Sequence, residues 1–287
     1  MKLASTAAAT LFLLAGAVQA ACLGPDEAGL LLRHFIHRTA APVPAPMTEA
    51  EGSCSRAQFH ALLQQHHGRV IGYKAALTNP AIQRMLKANG PIWGRLYAGM
   101  LLPDGAVVDA GFGPRPTVEA DLLLRVGSAG IHLARTREEM LRSLDQVIPF
   151  IELPDMLVAD PVRLNAGSFA AINAGARLGV TGAPVPVPAD AAGRAALQDA
   201  LATMAIVVTD GAGKELGRGR GSDLLGHPLD AALWLVGALA AEGISLQPGD
   251  LLSVGSFPPV LQARAGMAVT VTYAGLPGAA PVSVSLR

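Results

Sequence analysis

Two carboxylates stand two residues apart in the segment Arg115–Val126, where apolar and acidic residues alternate after a proline. This alternation predicts a β-strand, and because side chains i and i+2 of a strand share a face, Glu119 and Asp121 should be neighbours. A third acid, Glu152, lies inside the apolar run Val147–Leu153, where an unpaired charge is costly. Three such carboxylates favour a site for a hard divalent cation, which prefers oxygen ligands. On spacing alone, a solvated strand face with a salt bridge to a nearby arginine is the simpler interpretation.

Four short motifs occur in order along the chain. They are Gly72–Thr78 (GYKAALT), Val118–Asp121 (VEAD), Ile151–Asp155 (IELPD) and Leu225–Leu229 (LGHPL). The series resembles the 2-keto-4-pentenoate hydratase branch of the fumarylacetoacetate hydrolase superfamily, and the resemblance runs from about residue 70 to the C-terminus. It implies a rolled β fold that carries its site in the mouth of the roll.

The resemblance implies that Glu119, Asp121 and Glu152 bind the metal ion. Asp121 stands where this branch commonly has Glu, but oxygen ligation is preserved. A site without thiol or imidazole ligands suits Mg²⁺ or Mn²⁺. The implied substrates are small 2-keto acids, whose carboxylate and carbonyl oxygens chelate the ion and stabilise the enolate formed at C3.

Three further residues acquire roles from the resemblance. Lys74 matches the lysine of the Gly-Tyr-Lys motif and would pair with a substrate oxygen or shuttle a proton. His227 precedes Pro228 at a predicted helix start, where it either binds a substrate carboxylate or packs and caps the loop. Ser256 lies in the segment that contacts substrate in the family.

One departure from the family pattern bears on the reaction. The hydratases carry an acid in the segment aligned with Pro91–Gly94, and this chain has Ile92 there. Glu49, Glu51 and Asp104 are the candidates to replace that acid in space. Because adding water to a C=C bond needs a positioned general acid or base, we expect C3 proton exchange to survive and hydration to be slow.

Several functions therefore compete. The first is a metal-dependent hydratase-like lyase, with a decarboxylase or a C–C hydrolase of the same superfamily as alternatives. The second is an exported keto-acid binding or accessory protein with reduced or no turnover. The resemblance also implies a homo-oligomer.

The N-terminus resembles a secretory signal peptide. Lys2 is followed by an apolar region, 7–17, and by small residues before a cleavage position after Ala20. The apolar region is too short to span a bilayer, and we expect no transmembrane segment further along the chain. The sequence predicts a periplasmic or secreted protein.

The chain has two cysteines, Cys22 and Cys54, and both remain after cleavage. In an oxidising compartment an even cysteine count predicts a disulfide. The alternative is lipidation of Cys22, because residues 19–22 resemble a lipobox that lacks its usual branched apolar first residue.

Composition describes a globular protein. Acidic and basic residues number 22 each, which argues against a nucleic-acid partner. The domain prediction is a signal peptide at 1–20, an N-terminal helical segment at 21–68 and a catalytic domain at 69–287.

The predicted elements place the motifs in an α+β fold with a mixed, curved β-sheet roll and peripheral helices. Helices are expected at 25–39, 55–67, 80–87, 136–143 and 228–242, and strands at 69–76, 251–255, 268–273 and 282–286. Hairpins are expected around Asp104–Gly105 and Asp210–Gly211. The glycine-rich run Gly217–Gly221 follows the second hairpin, so a phosphate loop is disfavoured there.

Overall fold

A computed structural model describes residues 22–86 and 88–287. Its helices are α1 Pro25–His37, α2 Glu49–His67, α3 Pro80–Met85, α4 Arg137–Ser143, α5 Ala166–Ala171, α6 Ala191–Thr203 and α7 Pro228–Ala241. Its strands are β1 Val70–Ala76, β2 Ile92–Tyr97, β3 Leu101–Pro103, β4 Ala106–Val108, β5 Thr117–Val126, β6 Leu144–Leu153, β7 Leu178–Thr181, β8 Val185–Pro186, β9 Ala205–Asp210, β10 Glu215–Arg220, β11 Leu251–Ser253, β12 Phe257–Gln262, β13 Ala268–Ala274 and β14 Val282–Leu286. The predicted signal peptide lies outside the described residues.

The strands form two mixed sheets. The larger sheet has the order β2-β1-β11-β5-β6-β7-β3, with β12 also paired to β5 and β8 to β6. The smaller sheet has the order β10-β9-β13-β14-β4. Three strand pairs, β1–β11, β3–β7 and β4–β14, are parallel, while the other pairs are antiparallel. The α+β class with a mixed sheet is therefore confirmed.

The centre of the larger sheet is the antiparallel pair of β5 and β6, which the short helix α4 connects. Their register places Glu119 directly opposite Glu152 and Asp121 opposite Phe150. Nearly every residue of both strands is buried or half-buried, because both faces of the sheet are packed here: Leu122 and Leu124 join the main hydrophobic core, and Leu123 joins a smaller cluster on the other face. Acids on these strands are consequently forced into the interior.

Helix α2 begins six residues earlier than the predicted start at Ser55. Thr48 caps it: the Thr48 side chain accepts a hydrogen bond from the Glu51 backbone N–H, and the Glu51 carboxylate accepts one from the Thr48 N–H at 2.7 Å. This reciprocal arrangement is a capping box, which satisfies amide groups that have no partner within the helix. The weak apolar periodicity of the first turns hid the true start.

The turn at Asp104–Gly105 does not form the predicted hairpin. Strand β3 pairs with β7 in the larger sheet, whereas β4 pairs with β14 in the smaller one. Gly105 has φ +75°, so the chain does turn at Asp104–Gly105 as predicted. The turn alone does not decide which strands pair. The hairpin of β9 and β10 is confirmed, and β10 takes up most of the glycine-rich run as strand rather than as a phosphate loop.

Residues 221–241 contain the core helix α7. This stretch is long and apolar enough to cross a membrane by length and composition, contrary to the expectation from the sequence, but half of it is buried inside the protein. Leu225 and Gly226 have positive φ and interrupt the helical path before α7 begins. We therefore assign α7 to the hydrophobic core, which it enters through residues such as Leu229 and Leu235.

Cys22 and Cys54 form a disulfide with a Cα–Cα distance of 5.6 Å, which ties the segment just before α1 to the second turn of α2. Beside it, the Leu23 N–H donates a hydrogen bond to the Ser55 side chain. In this form neither thiol is available for a lipid.

Reducing this disulfide is expected to lower the free energy of unfolding by roughly 3–4 kcal/mol, because a cross-link restricts the unfolded chain and the separation here is 32 residues. Urea unfolding with and without reductant measures the loss, and a Cys22→Ser/Cys54→Ser double variant, insensitive to reductant, is the control. Two titratable thiols in the purified, non-reduced protein would contradict the bond.

Candidate active site

A cavity of about 600 Å³ opens between β1, the ends of β5 and β6, and the loop before β12. The polar groups that line it include Lys74, Glu119, Glu152, Asp155 and Ser256. Lys74, Glu152 and Asp155 are almost completely buried, so they form the inner end of the cavity. Two of the three predicted metal ligands, the predicted catalytic lysine and the predicted substrate-binding serine therefore share one pocket.

Lys74 is buried on β1, with 3% of its surface exposed. Its Nζ lies 2.5 Å from Glu152 Oε1 and donates a hydrogen bond to the Ala174 carbonyl oxygen at 3.1 Å. A buried ammonium group is tolerated only when it is paired, and here a carboxylate and a carbonyl provide the partners. An exposed strand lysine, the simpler interpretation of the sequence, is thus excluded.

Glu119 and Glu152 face each other across adjacent strands, and their proximity is unfavourable when both are charged. Burial, and then the nearby Glu152, raise the pKa of Glu119 to about 7, while Lys74 and hydrogen bonds from Ser256 and Thr117 oppose this rise. Glu152 Oε1 has the Lys74 ammonium as its charge partner, but among the described residues this buried oxygen has no hydrogen-bond partner. Both acids are therefore suited to accept a cation.

Asp121 lies behind the pocket rather than in it. Its side chain is fully buried and accepts hydrogen bonds from the Ser253 hydroxyl, the Leu122 N–H at 2.6 Å and the Gly255 N–H at 3.1 Å. Burial and the charge of Glu152 raise the pKa of Asp121 well above its usual range. These contacts satisfy both carboxylate oxygens.

The predicted set of three ligands is therefore not assembled in the structure. Within residues 22–86 and 88–287, no group of three or more His, Cys, Asp or Glu side chains is arranged to hold a metal ion. Glu119 and Glu152 reach the pocket, but Asp121 does not, because β11 and the turn after it cover its carboxylate. Strand spacing predicts a shared face and cannot show which neighbour covers it.

The donor chemistry nevertheless fits a divalent cation. The three carboxylates, if all were ionised, and the single Lys74 ammonium would together carry a net charge of −2 in a buried region. Such an excess is costly without a counter-charge. Oxygen ligands of this kind suit a hard divalent cation, and Glu119 and Glu152 are the residues that would hold it.

His227, for which the sequence left substrate binding and helix capping open, is not among the residues that line the pocket. Its ring is buried, Nδ1 accepts a hydrogen bond from the Leu229 N–H at 3.0 Å, and Nε2 lies 3.0 Å from the Gln198 carbonyl oxygen. His227 is the N-cap of α7, which is the packing alternative left open by the sequence.

The place of the missing family acid is apolar. Ile92 is buried on β2 in a hydrophobic cluster with Leu77 and Tyr97. None of its candidate replacements lines the pocket: Glu51 caps α2, Asp104 binds Ser283 on the protein surface, and Glu49 is exposed.

Asp155 is the pocket acid that the sequence reasoning did not identify. Its Oδ1 accepts a hydrogen bond from the Arg115 N–H at 2.8 Å, and its Oδ2 lies 3.3 Å from Arg177 Nη1. Burial raises the pKa of Asp155 in spite of these two partners. Gly113 permits this packing, because a Cβ there would meet the Asp155 carboxylate at 2.2 Å. Asp155 is the last residue of the IELPD motif, whose Glu is the predicted metal ligand.

Comparison with known proteins identifies the family. The chain is 30% identical over 209 residues to 2-keto-4-pentenoate hydratase 2 of Dechloromonas aromatica, a match that covers 72% of this chain and 76% of that protein. The chain belongs to the 2-keto-4-pentenoate hydratase family. It is also 33% identical over 202 residues to 2-hydroxyhexa-2,4-dienoate hydratase of Comamonas testosteroni, covering 69% of this chain and 72% of the relative. A scan against models of protein families gives no match.

The fold agrees with this hydratase family assignment. The structure of 4-oxalocrotonate decarboxylase from Pseudomonas putida G7, complexed with magnesium and adipate, aligns with a TM-score of 0.76. The alignment covers 92% of this chain and 99% of the decarboxylase, at 23% identity. The predicted fold, a curved mixed sheet of the fumarylacetoacetate hydrolase type, is thus confirmed.

Glu119 is expected to make stability and metal binding depend on pH in opposite ways. Because its pKa rises from an ordinary 4.5 to about 7 on folding, its stabilising contribution is complete below about pH 4.5 and is lost as the pH passes 7. Urea unfolding in EDTA should therefore show that Glu119→Gln gains stability relative to wild type between pH 5 and pH 8. Magnesium affinity of the wild type should fall over the same interval on acidification, because protons compete for the carboxylate.

The exposed residue Glu138 supplies the control, since Glu138→Gln should alter neither pH trend in this interval. A pH-independent difference between wild type and Glu119→Gln would contradict the raised pKa.

Proposed function

We propose that this protein is a hydro-lyase that uses Mg²⁺ or Mn²⁺ and acts on small 2-keto acids or the corresponding 2-hydroxydienoic acids. The observation that carries the proposal is the meeting of Lys74, Glu119 and Glu152 in the lining of one pocket. The names of the hydratase relatives support the reaction class and the substrate class. The magnesium in the decarboxylase neighbour supports the kind of ion.

A bound divalent ion would draw negative charge from the carboxylate and carbonyl oxygens of a 2-keto acid, which stabilises an enolate. Glu119 and Glu152 would hold the ion, and Thr117 and Ser256 orient Glu119 by hydrogen bonds. Lys74 would lose part of its attraction to Glu152 once that carboxylate binds a cation. Its amine is then the group placed to exchange a proton with C3.

Water addition requires a second acid or base beyond the one that serves C3. Of the described residues that line the pocket, Asp155 is the carboxyl group besides Glu119 and Glu152. Its buried position and raised pKa suit a group that accepts a proton from water and returns it. Asp155 thus supplies the function that Ile92 removed from the family position.

Deuterium exchange and hydration test the proposal separately. Wild-type protein should exchange the C3 hydrogens of pyruvate in D₂O when Mg²⁺ is present, and EDTA should stop the exchange. Asp155→Asn should lower hydration of 2-hydroxypenta-2,4-dienoate by about 10²–10⁴-fold and reduce exchange much less, because only hydration uses the second group. NMR follows the exchange, and the loss of diene absorbance follows hydration.

Asp145→Asn is the matched control, since Asp145 pairs with Arg125 on the surface, away from the pocket. Keto-acid binding without exchange or hydration would support the binding-protein alternative instead, and release of CO₂ from 4-oxalocrotonate would support the decarboxylase alternative. Equal losses of exchange and hydration in Asp155→Asn would contradict the division of roles.

Export from the cytoplasm, to the periplasm or out of the cell, is part of the proposal. The signal-like residues 1–20 and the Cys22–Cys54 bond support it, because disulfides persist in oxidising compartments. The mass of the mature protein should correspond to a chain that begins at Ala21.

A further inference from the structure

The pocket is strongly asymmetric along its length. Its inner end holds Lys74, Glu152 and Asp155, each with no more than 3% of its surface exposed. Its mouth is formed by large apolar side chains that solvent reaches: Ile82 is 39% exposed, Val260 54% and Val162 89%. Exposed apolar groups that converge on one opening mark a binding surface.

Apolar side chains continue from the mouth towards the polar end. Leu86, Met156 and Phe169 line the cavity in addition to the three residues of the mouth. A volume of about 600 Å³ lies within the range that accommodates drug-sized ligands, so a five-carbon acid held at the inner end would leave the outer part of the cavity free.

Charge is distributed just as unevenly. Of the described residues that line the cavity, only Lys74 is basic, and it is engaged at the inner end. A substrate with a second carboxylate at its far end would lay that charge against apolar side chains with no basic partner, so it would lose part of its hydration and gain no apolar contact, whereas an apolar tail would gain that contact. The cavity therefore suits a molecule with one charged end and one apolar end.

We propose that the preferred substrates are 2-keto monoacids with an extended apolar tail, and that Ile82, Val162 and Val260 select the tail and disfavour diacids. This inference rests on the proposed function, since it assumes that the keto-acid group occupies the inner end. It separates this chain from the decarboxylase neighbour, whose structure holds adipate, a diacid.

The test compares rates of Mg²⁺-dependent C3 deuterium exchange, expressed as kcat/KM, for pyruvate, 2-oxohexanoate, 2-oxooctanoate and 2-oxoadipate. Each methylene that becomes buried should raise kcat/KM by about fourfold until the tail fills the cavity. 2-Oxohexanoate and 2-oxoadipate share a six-carbon skeleton and differ only at the far end, and the diacid should be at least about tenfold slower.

A charge introduced at the mouth should reverse the preference. Val162→Lys should raise kcat/KM for 2-oxoadipate by about tenfold and lower it for 2-oxooctanoate, and this side chain is exposed enough to change without disturbing the core. Leu133→Lys, at another exposed apolar position that lies outside the pocket (68% exposed), should change neither value.

The possible outcomes are distinct. The inference fails, and the proposed function stands, if pyruvate exchanges but kcat/KM does not rise with chain length. The same holds if the wild type has a higher kcat/KM for 2-oxoadipate than for 2-oxohexanoate. No exchange with any of the four acids overturns both. If Val162→Lys changes only the oligomeric state measured by light scattering and not the selectivity, the apolar mouth is an interface between copies and the inference fails.

Discussion

Replacing Lys74 with methionine is expected to lower the rate of metal-dependent C3 exchange by about 10²–10⁴-fold, the usual contribution of a positioned acid–base group. Methionine retains the length and apolar volume of the lysine stem but cannot carry a proton. The substrate should still bind, because the carboxylates that hold the cation remain. NMR-monitored exchange of pyruvate measures the rate.

The same substitution has a second, independent effect. Lys74→Met leaves the buried Glu152 without its ammonium partner, and breaking a buried pair in this way costs about 3–5 kcal/mol of stability. Added Mg²⁺ should restore much of that loss, because a cation replaces the missing charge. Lys214→Met, on an exposed turn, should show neither effect. An exchange rate within a few-fold of wild type would remove Lys74 from the mechanism.

The second large effect concerns the ion itself. Glu152→Gln should weaken Mg²⁺ binding by at least about 100-fold, since it removes the charge of a buried oxygen ligand. Calorimetric titration of Mg²⁺ measures this, and Glu138→Gln, whose side chain pairs with Arg142 on the surface, is the control. Equal affinities in the two variants would refute the assignment of the site.

Asp121→Asn distinguishes the two versions of the site. If the carboxylate remains bound to Ser253 and Gly255, its replacement should weaken Mg²⁺ binding much less than Glu152→Gln does. A comparable loss in both variants would show that Asp121 turns towards the ion when it binds, as the sequence pattern predicts.

Elements that depend on local sequence signals form where the sequence predicts them. The alternation around Glu119 and the periodicity of α7 are local signals, and both elements form close to their predicted bounds. The short strands β3 and β4 were also anticipated, but their partners, β7 and β14, are far away in sequence. Pairing over such distances depends on tertiary packing, which a turn signal cannot reveal.

The site shows the same limit. The three motifs that contain Lys74, Glu119 and Glu152 predict that these residues meet, and all three line one pocket. Each of them lies on a regular strand, which local spacing can predict. The role of Asp155 depends on Arg177, 22 residues away, and the covering of Asp121 depends on Ser253, 132 residues away. Neither relation leaves a trace in local spacing. His227 is ambiguous in sequence because a helix N-terminus offers both a capping role and an anion site.

The contact between Arg177 and α1 connects the N-terminal helical segment to the pocket. Arg177 pairs with Asp155 through Nη1 and donates a hydrogen bond through Nη2 to the Phe35 carbonyl oxygen at 2.7 Å, with its guanidinium over the Phe35 ring. Helix α1 therefore positions Arg177, and Arg177 in turn positions the pocket acid Asp155. A fragment that begins at residue 69 would keep every motif of the family and lose this support, so the helical segment cannot be exchanged or removed as an independent module without altering the pocket.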